Sequence, residues 1–173
     1  MKIGIISDTH DDLENVHKSI EIFNAEGTNY VIHAGDYVFP GVVREFQNLD
    51  AKFIGVLGNN DGERLLLLKN FLDINGEVGE IDLDRLKFGI YHGTSKEIKE
   101  LLANSGRYDI LVCGHTHIRE STIVQNGMQK NGKTLVLNPG TAHKKVASKS
   151  GAFEESGVII FDTQTKGYRF VDL

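Results

Sequence analysis

The sequence predicts an α/β domain whose reactive groups gather at the carboxyl ends of its strands. Short apolar runs, Ile3-Gly4-Ile5-Ile6, Tyr30-Val31-Ile32 and Phe53-Ile54-Gly55-Val56-Leu57, read as strands covered on both faces. Segments of helical periodicity separate them, and a strand, helix, strand order implies a right-handed crossover and a parallel pair. Each run stops abruptly at side chains able to hold a metal ion, and open α/β sheets carry their sites just beyond such strand ends.

The first run ends in Ser7-Asp8-Thr9-His10. Alternation along an extended chain would put residues 8 and 10 on one side, offering a cation an oxygen and an imidazole nitrogen. A carboxylate capping the next helix is the other reading of the pair. Residues 11–27 carry Leu13, Val16, Ile20 and Phe23 at helical steps, with Gly27 as the stop. His17 is expected on that helix's solvent face or in helix packing. The second run ends in His33-Ala34-Gly35-Asp36. Asp36 then lands beside Asp8 and His10, Gly35 removes a side chain where the backbone must pass close, and His33 is expected as a satisfied histidine buried in the sheet. Val42, Val43 and Phe46 mark a short helix before the third strand, which runs into Gly58-Asn59-Asn60-Asp61. Residues 63–74 are expected to be helical, with the leucine run at 65–68 in the core.

From Val78 the pattern alternates, with Asp84-Arg85 at a turn, so a hairpin is expected whose second arm ends in Tyr91-His92-Gly93. A helix follows with Ile98, Leu101 and Leu102 on one face and Gly106 as its stop. The run Ile110-Leu111-Val112-Cys113 then meets Gly114-His115-Thr116-His117. Strands at 121–124 and 134–137 flank a polar turn at 125–133, and Asn138-Pro139-Gly140-Thr141 closes the second. Residues 142–156, with Lys144, Lys145 and Lys149, are expected to form a surface loop, and a hairpin ends the chain. No repeat or linker marks a second unit, so one domain over residues 1–173 is expected.

Composition narrows the function. Of 173 residues, 40% are apolar and 25% charged, ordinary globular usage. With 24 acidic against 19 basic residues the formal charge is −5, which argues against general nucleic-acid binding. The one cysteine, Cys113, lies in an apolar run and suits a reducing compartment. No signal sequence and no membrane-length apolar run is evident, so a cytoplasmic location without membrane contact is expected. Homo-oligomer formation is left open.

Strand ends thus present Asp8 and His10, Asp36, Asn59, His92, and His115 with His117. Oxygen and imidazole donors in this number, without a thiolate, exceed one tetrahedral ion and suit two divalent cations of the manganese, iron, cobalt, nickel or zinc group. Manganese is the expected metal. Asp36, central among the strand ends, is the carboxylate placed to bridge them.

The blocks Asp8-x-His10, Gly35-Asp36, Gly58-Asn59-Asn60-Asp61, His92-Gly93 and Gly114-His115-Thr116-His117 resemble those of the calcineurin-like metallophosphoesterases, in that family's order. Asn138-Pro139-Gly140-Thr141 is similar to a further family landmark, and the size is most like its small prokaryotic phosphodiesterase branch. The resemblance implies a four-layer α/β/β/α sandwich with two mixed β-sheets. It also implies that Asp8, His10, Asp36 and His117 hold one metal, and Asp36, Asn59, His92 and His115 the other. Dications held roughly 3.5–4 Å apart can clamp the attacking and leaving oxygens of an in-line displacement. The expected activity is therefore phosphodiester hydrolysis by attack of a metal-bridging hydroxide on a small diester, with Asn59 and Asn60 contacting substrate and Asp61 supporting the loop.

One position departs from the pattern. Many family members carry a histidine where this chain has Asn60, and that histidine is held to protonate the leaving oxygen. An amide cannot, although Asn60 can donate a hydrogen bond to a phosphoryl oxygen. Two alternatives stay open: a weak or inactive metal-binding scaffold like the retromer subunit, which also lacks that histidine, and a phosphomonoesterase using Arg64. Tyr37 and Phe39 are placed either to stack on a substrate ring or to pack against the neighbouring helix.

Overall fold

The computed structural model describes residues 1–70, 73–125, 132–144 and 156–173. The elements run β1 (Lys2–Ile6), α1 (Leu13–Ala25), β2 (Tyr30–His33), α2 (Pro40–Glu45), a 3₁₀ turn (Phe46–Asn48), β3 (Lys52–Gly55) and α3 (Arg64–Asn70). They continue through β4 (Val78–Leu83), β5 (Leu86–Tyr91), α4 (Lys96–Asn104), β6 (Ile110–Val112), β7 (Arg119–Gln125), β8 (Lys133–Pro139), β9 (Gly157–Asp162) and β10 (Gly167–Asp172).

Two 5-stranded sheets form, in the orders β10-β9-β1-β2-β3 and β4-β5-β6-β8-β7. Both are mixed: β1-β2-β3 and β5-β6-β8 are parallel, and antiparallel partners flank them. Side-chain alternation sorts the layers. Ile3, Ile5, Ile32 and Ile54 of the first sheet meet Phe88, Ile90, Ile110, Val112 and Leu137 of the second in one core between the sheets. On the outer face of the first sheet, Ile6, Val31 and Phe53 pack under Val16, Ile20 and Phe23 of α1, Val42 and Val43 of α2, and Leu67 of α3. On the outer face of the second, Leu111, Cys113 and Val136 meet Ala103 of α4. The result is the expected α/β/β/α sandwich with two mixed sheets. Gly4 shows how tightly the outer layer sits, since a Cβ there would enter the ring of Phe23.

Three local expectations are corrected. The leucine run is not core throughout: Leu67 is buried, whereas Leu65, Leu66 and Leu68 are exposed. Consecutive residues step about 100° around a helix, so a single contact face cannot cover four in a row. The helix also does not reach 74: its described residues are Arg64–Asn70, and Ile74 instead bridges to Gly55. On α4, Ile98 and Leu101 are exposed, because the helix meets its sheet through Ala103 and the flank of Leu102. The hairpin at Asp84-Arg85 forms as expected, both residues taking positive φ. Phe71, Leu72, most of the 125–133 turn, and Lys145 and Lys149 of the 142–156 loop lie outside the described residues. Lys144 pairs with Glu14 of α1 at 2.6 Å.

Candidate metal centre

Because β1, β2 and β3 are parallel neighbours, their carboxyl ends form one rim. Asp8 N donates to Gly35 O (3.0 Å) and His10 N to Asp36 O (3.2 Å), so the first two loops are laced together. From the facing sheet β5 delivers His92 and β6 the turn 113–117. Gly114 N donates to His92 O (2.8 Å), and His115 N reaches across to Asp8 Oδ2 (3.0 Å).

The side chains converge between the two sheets. Asp8, Asp36 and His92 are buried, while His10 and His117 are about one-fifth exposed. Asp8 Oδ2 accepts from Ser7 Oγ (2.5 Å) and from the His115 amide. Asp8 Oδ1, equally buried, has no hydrogen-bond partner among the described residues. It faces His117 Nε2 at 3.3 Å, His10 Nε2 at 3.8 Å and His92 Nε2 at 3.9 Å. His10 and His117 point their Nε2 atoms at each other, 3.2 Å apart. Asp36 Oδ2 lies 3.3 Å from His92 Nε2 and 3.7 Å from His10 Nε2. Donor atoms within 4.8 Å of one another fall into two groups, Asp8 with His10 and His117, and Asp8 with Asp36 and His92.

Of the remaining candidates, Asn59 Oδ1 lies 3.0 Å from His92 Nε2. The His115 ring packs edge-on to that of His92, centroids 5.2 Å apart. His92 Nδ1 bonds to Ala34 O at 2.7 Å, which makes Nδ1 the donor and turns Nε2 toward the cluster. Asn60 sits against Asp36, its backbone N on Oδ1 (2.8 Å) and its Nδ2 on Oδ2 (2.7 Å). Asp61 lies behind the rim, where its buried carboxylate accepts from the amides of Asp36 (3.1 Å), Tyr37 (2.7 Å), Val38 (2.8 Å) and Gly58 (2.7 Å). One side chain thereby fixes the loops after β2 and β3 relative to each other.

Strain is concentrated here. Asp8, His10, Asp36, His115 and His117 all have positive φ, between 41° and 70°. The left-handed conformation costs an L residue roughly 1–2 kcal/mol and persists where its surroundings over-determine it, commonly at functional sites. The same geometry corrects the expected route by which Asp8 and His10 meet. Strand alternation does not do it, since β1 ends at Ile6, and left-handed turns bring the two side chains together. Glycines make the approach possible: a Cβ on Gly58 would enter the Asp36 carboxylate, and one on Gly114 would enter Ser7 and Asp8.

The electrostatics follow from burial and neighbours. Burial pushes the Asp36 carboxyl up, but His92 and the two Asn60 hydrogen bonds outweigh it and hold the group well below the ordinary carboxylate range. Burial lowers His92, yet the Asp36 contact and the charges of Asp8 and Asp36 raise it overall. Burial leaves His10 below its usual value.

Other sequence candidates lie elsewhere. His33 is buried beneath the rim, stacked on Tyr37 (centroids 3.9 Å) with Nδ1 accepting from Gly35 N (3.1 Å), the satisfied buried histidine expected. His17 pairs with Glu45 on the surface at 2.8 Å. Tyr37 is fully buried and packs in the core; Phe39 is exposed. Arg64 is engaged by Gly58 O (3.1 Å), Asp61 O (3.3 Å) and Glu77 (2.9 Å). Sequence reading missed His143, whose ring stands edge-on to His10 with centroids 5.9 Å apart. The signal was its place just after Asn138-Pro139-Gly140-Thr141, where Thr141 Oγ1 donates to Asp8 O at 2.8 Å.

Residues 1–166 match the family model for the calcineurin-like phosphoesterase superfamily domain. The chain belongs to that superfamily. Phosphodiesterase MJ0936 of Methanocaldococcus jannaschii is 42% identical over 178 residues, covering 100% of this chain and 99% of that protein. A solved archaeal phosphodiesterase superposes with TM-score 0.84 at 40% identity over 100% of both chains. The zinc complex of Vps29 from Entamoeba histolytica, 18% identical with TM-score 0.68 over 99% of both chains, shares the fold. This phosphoesterase is therefore placed among the phosphoric ester hydrolases. Its donor set fits divalent cations: an orphaned, fully buried Asp8 oxygen faces imidazole nitrogens, and a lone buried carboxylate oxygen is costly without a positive partner. The calcineurin-like phosphoesterase has no described helix long and apolar enough to cross a membrane.

Proposed function

We propose that this phosphoesterase hydrolyses small phosphodiesters with two divalent cations, of which manganese is the expected metal and nickel, iron, cobalt and zinc are the alternatives. The observation that carries the proposal is Asp8 Oδ1, buried without a hydrogen bond among the described residues and facing His10, His92 and His117. Asp8, His10, Asp36 and His117 would hold one cation; Asp36, Asn59, His92 and His115 would hold the other. When bound, the cations supply positive charge for the phosphate and an activated water for in-line attack on phosphorus.

The chain's own residues do the rest. Asp36 bridges the two halves, held by Asn60 on one side and facing His92 on the other. Asp61 keeps the two loops in register. Asn59, at the open edge beside His92, orients a phosphoryl oxygen. Nothing on the 58–61 loop offers a proton to the leaving oxygen except amides, which favours esters of acidic alcohols.

Two features favour a diester over a monoester. Arg64, the one arginine expected as a terminal-phosphate clamp, is occupied by Gly58, Asp61 and Glu77. The 42% identical relative is named a phosphodiesterase. Buried, free Cys113 accords with a cytoplasmic setting.

The test is a manganese titration of metal-free protein, followed by comparison of bis-p-nitrophenyl phosphate with p-nitrophenyl phosphate. Two equivalents of metal and faster diester hydrolysis are expected. Preference for the monoester would favour the phosphomonoesterase reading, and metal binding without turnover the scaffold.

A further inference from the structure

Beside the metal centre lies a second feature that the reaction as proposed does not use. A cleft of about 240 Å³ opens at Asn59 and runs between the loop after β3 and the start of α4. Leu57, Tyr91 and Ile98 give it an apolar lining, and Thr94 and Ser95 add hydroxyls beside them. Asn59 is shared with the metal centre: its Oδ1 lies 3.0 Å from His92 Nε2 on one side and 3.5 Å from Thr94 Oγ1 on the other. A phosphate seated at the metal centre would therefore direct one of its substituents past Asn59 into this space.

The cleft is preformed. Tyr91 is buried, and its hydroxyl accepts from Ser95 N at 2.9 Å, locking the aromatic wall to the first turn of α4. Arg64 bonds Gly58 O and pairs with Glu77 at 2.9 Å, holding the opposite wall. Ile98, which helical periodicity assigned to the core, stands 44% exposed along this cleft. An apolar residue kept at the mouth of a site, with hydroxyls beside it, is the lining expected for a ring-bearing organic group. An apolar cavity of about 150 Å³ already accepts benzene, so the volume suffices for an aryl ring or a sugar.

We infer that this cleft binds the ring-bearing organic substituent of the phosphodiester and selects aryl or nucleoside-like esters over simple alkyl ones. The inference rests on the proposed seating of phosphate at the metal centre.

The experiment uses two non-hydrolysable probes, phenylphosphonate and methylphosphonate, titrated calorimetrically into the manganese-loaded protein. Phenylphosphonate is expected to bind at least about tenfold more tightly, since even one extra methylene in an apolar pocket is typically worth about 10- to 200-fold. Ile98→Glu, a surface change on α4, should remove that preference while leaving methylphosphonate affinity and manganese stoichiometry unchanged. Ile98→Ser, which removes the exposed apolar side chain without adding a charge, should weaken that preference in the same way. Equal binding of the two probes by the unaltered protein would overturn the inference and leave the metal-centre proposal standing, as would a phenyl preference that survives both substitutions. If neither phosphonate binds the loaded protein, the proposed seating of phosphate fails and the cleft assignment fails with it.

Discussion

Asn60 closes on Asp36 from two directions, its backbone N 2.8 Å from Oδ1 and its side-chain Nδ2 2.7 Å from Oδ2. The residue that stands in place of the expected histidine is thus a holder of the central carboxylate. Partners that orient a ligating carboxylate typically affect metal affinity 10- to 100-fold. Asn60→Ala is accordingly expected to weaken manganese binding by about that factor. Calorimetric titration reads it, and unchanged affinity would remove Asn60 from the orientation of Asp36.

The same contact bears on the leaving group. With its amide engaged by Asp36, Asn60 brings no proton to the departing alkoxide, and general-acid help is typically worth about 10²–10⁴-fold. Rates on a series of aryl and alkyl diesters are expected to fall steeply as the pKa of the leaving alcohol rises. A flat plot would show that another group supplies the proton.

Asp61 gives a stability prediction that needs no metal. Its carboxylate satisfies the amides of Asp36, Tyr37, Val38 and Gly58, and the side chain is 2% exposed. Each buried donor left unpaired costs about 1–3 kcal/mol, so Asp61→Ala should destabilise the metal-free protein by about 4 kcal/mol or more. Urea denaturation measures this. A loss below about 1 kcal/mol would mean that water replaces the carboxylate without cost.

Much of this centre was legible in the sequence, for a physical reason. Parallel strands are buried on both faces, so their apolar runs stand out, and the residue at which each run stops is at the rim. Asp8, Asp36, His92 and His117 could be read in this way. The turns that aim them could not, because left-handed backbone at Asp8 and His10 is held by contacts with the loop after β2 and with the 114–117 turn, far away in sequence. His143 was hidden for a related reason, since it follows a strand end by several residues and is placed by Thr141 bonding to Asp8. The amphipathic pattern of α4 misled in the opposite direction: apolar spacing at Ile98 and Leu101 reads as core, yet both residues face outward.

Buried His33 predicts a pH dependence. Burial holds its imidazole well below the usual value, with Nδ1 accepting from Gly35 N, so the folded state keeps it neutral. An unfolded histidine titrates near 6.5, so below about that pH the unfolded chain takes up a proton that the folded chain refuses. Stability attributable to His33 is therefore complete above about pH 6.5 and is lost as pH falls, by about 1.4 kcal/mol per unit, until the lowered folded value is reached. Between pH 7 and pH 5 the metal-free protein is expected to lose more stability than its His33→Gln variant. Parallel profiles for the two would contradict a neutral, buried His33.

Whether the acidic and imidazole groups at the strand ends make one hydrolytic metal centre is decided by assaying bis-p-nitrophenyl phosphate hydrolysis with manganese for the unaltered protein beside Asp36→Asn. Metal-dependent turnover that drops about 100-fold or more in the variant is expected, since Asp36 touches both halves of the cluster. Manganese bound by the unaltered protein without turnover, or turnover that survives Asp36→Asn undiminished, would contradict it.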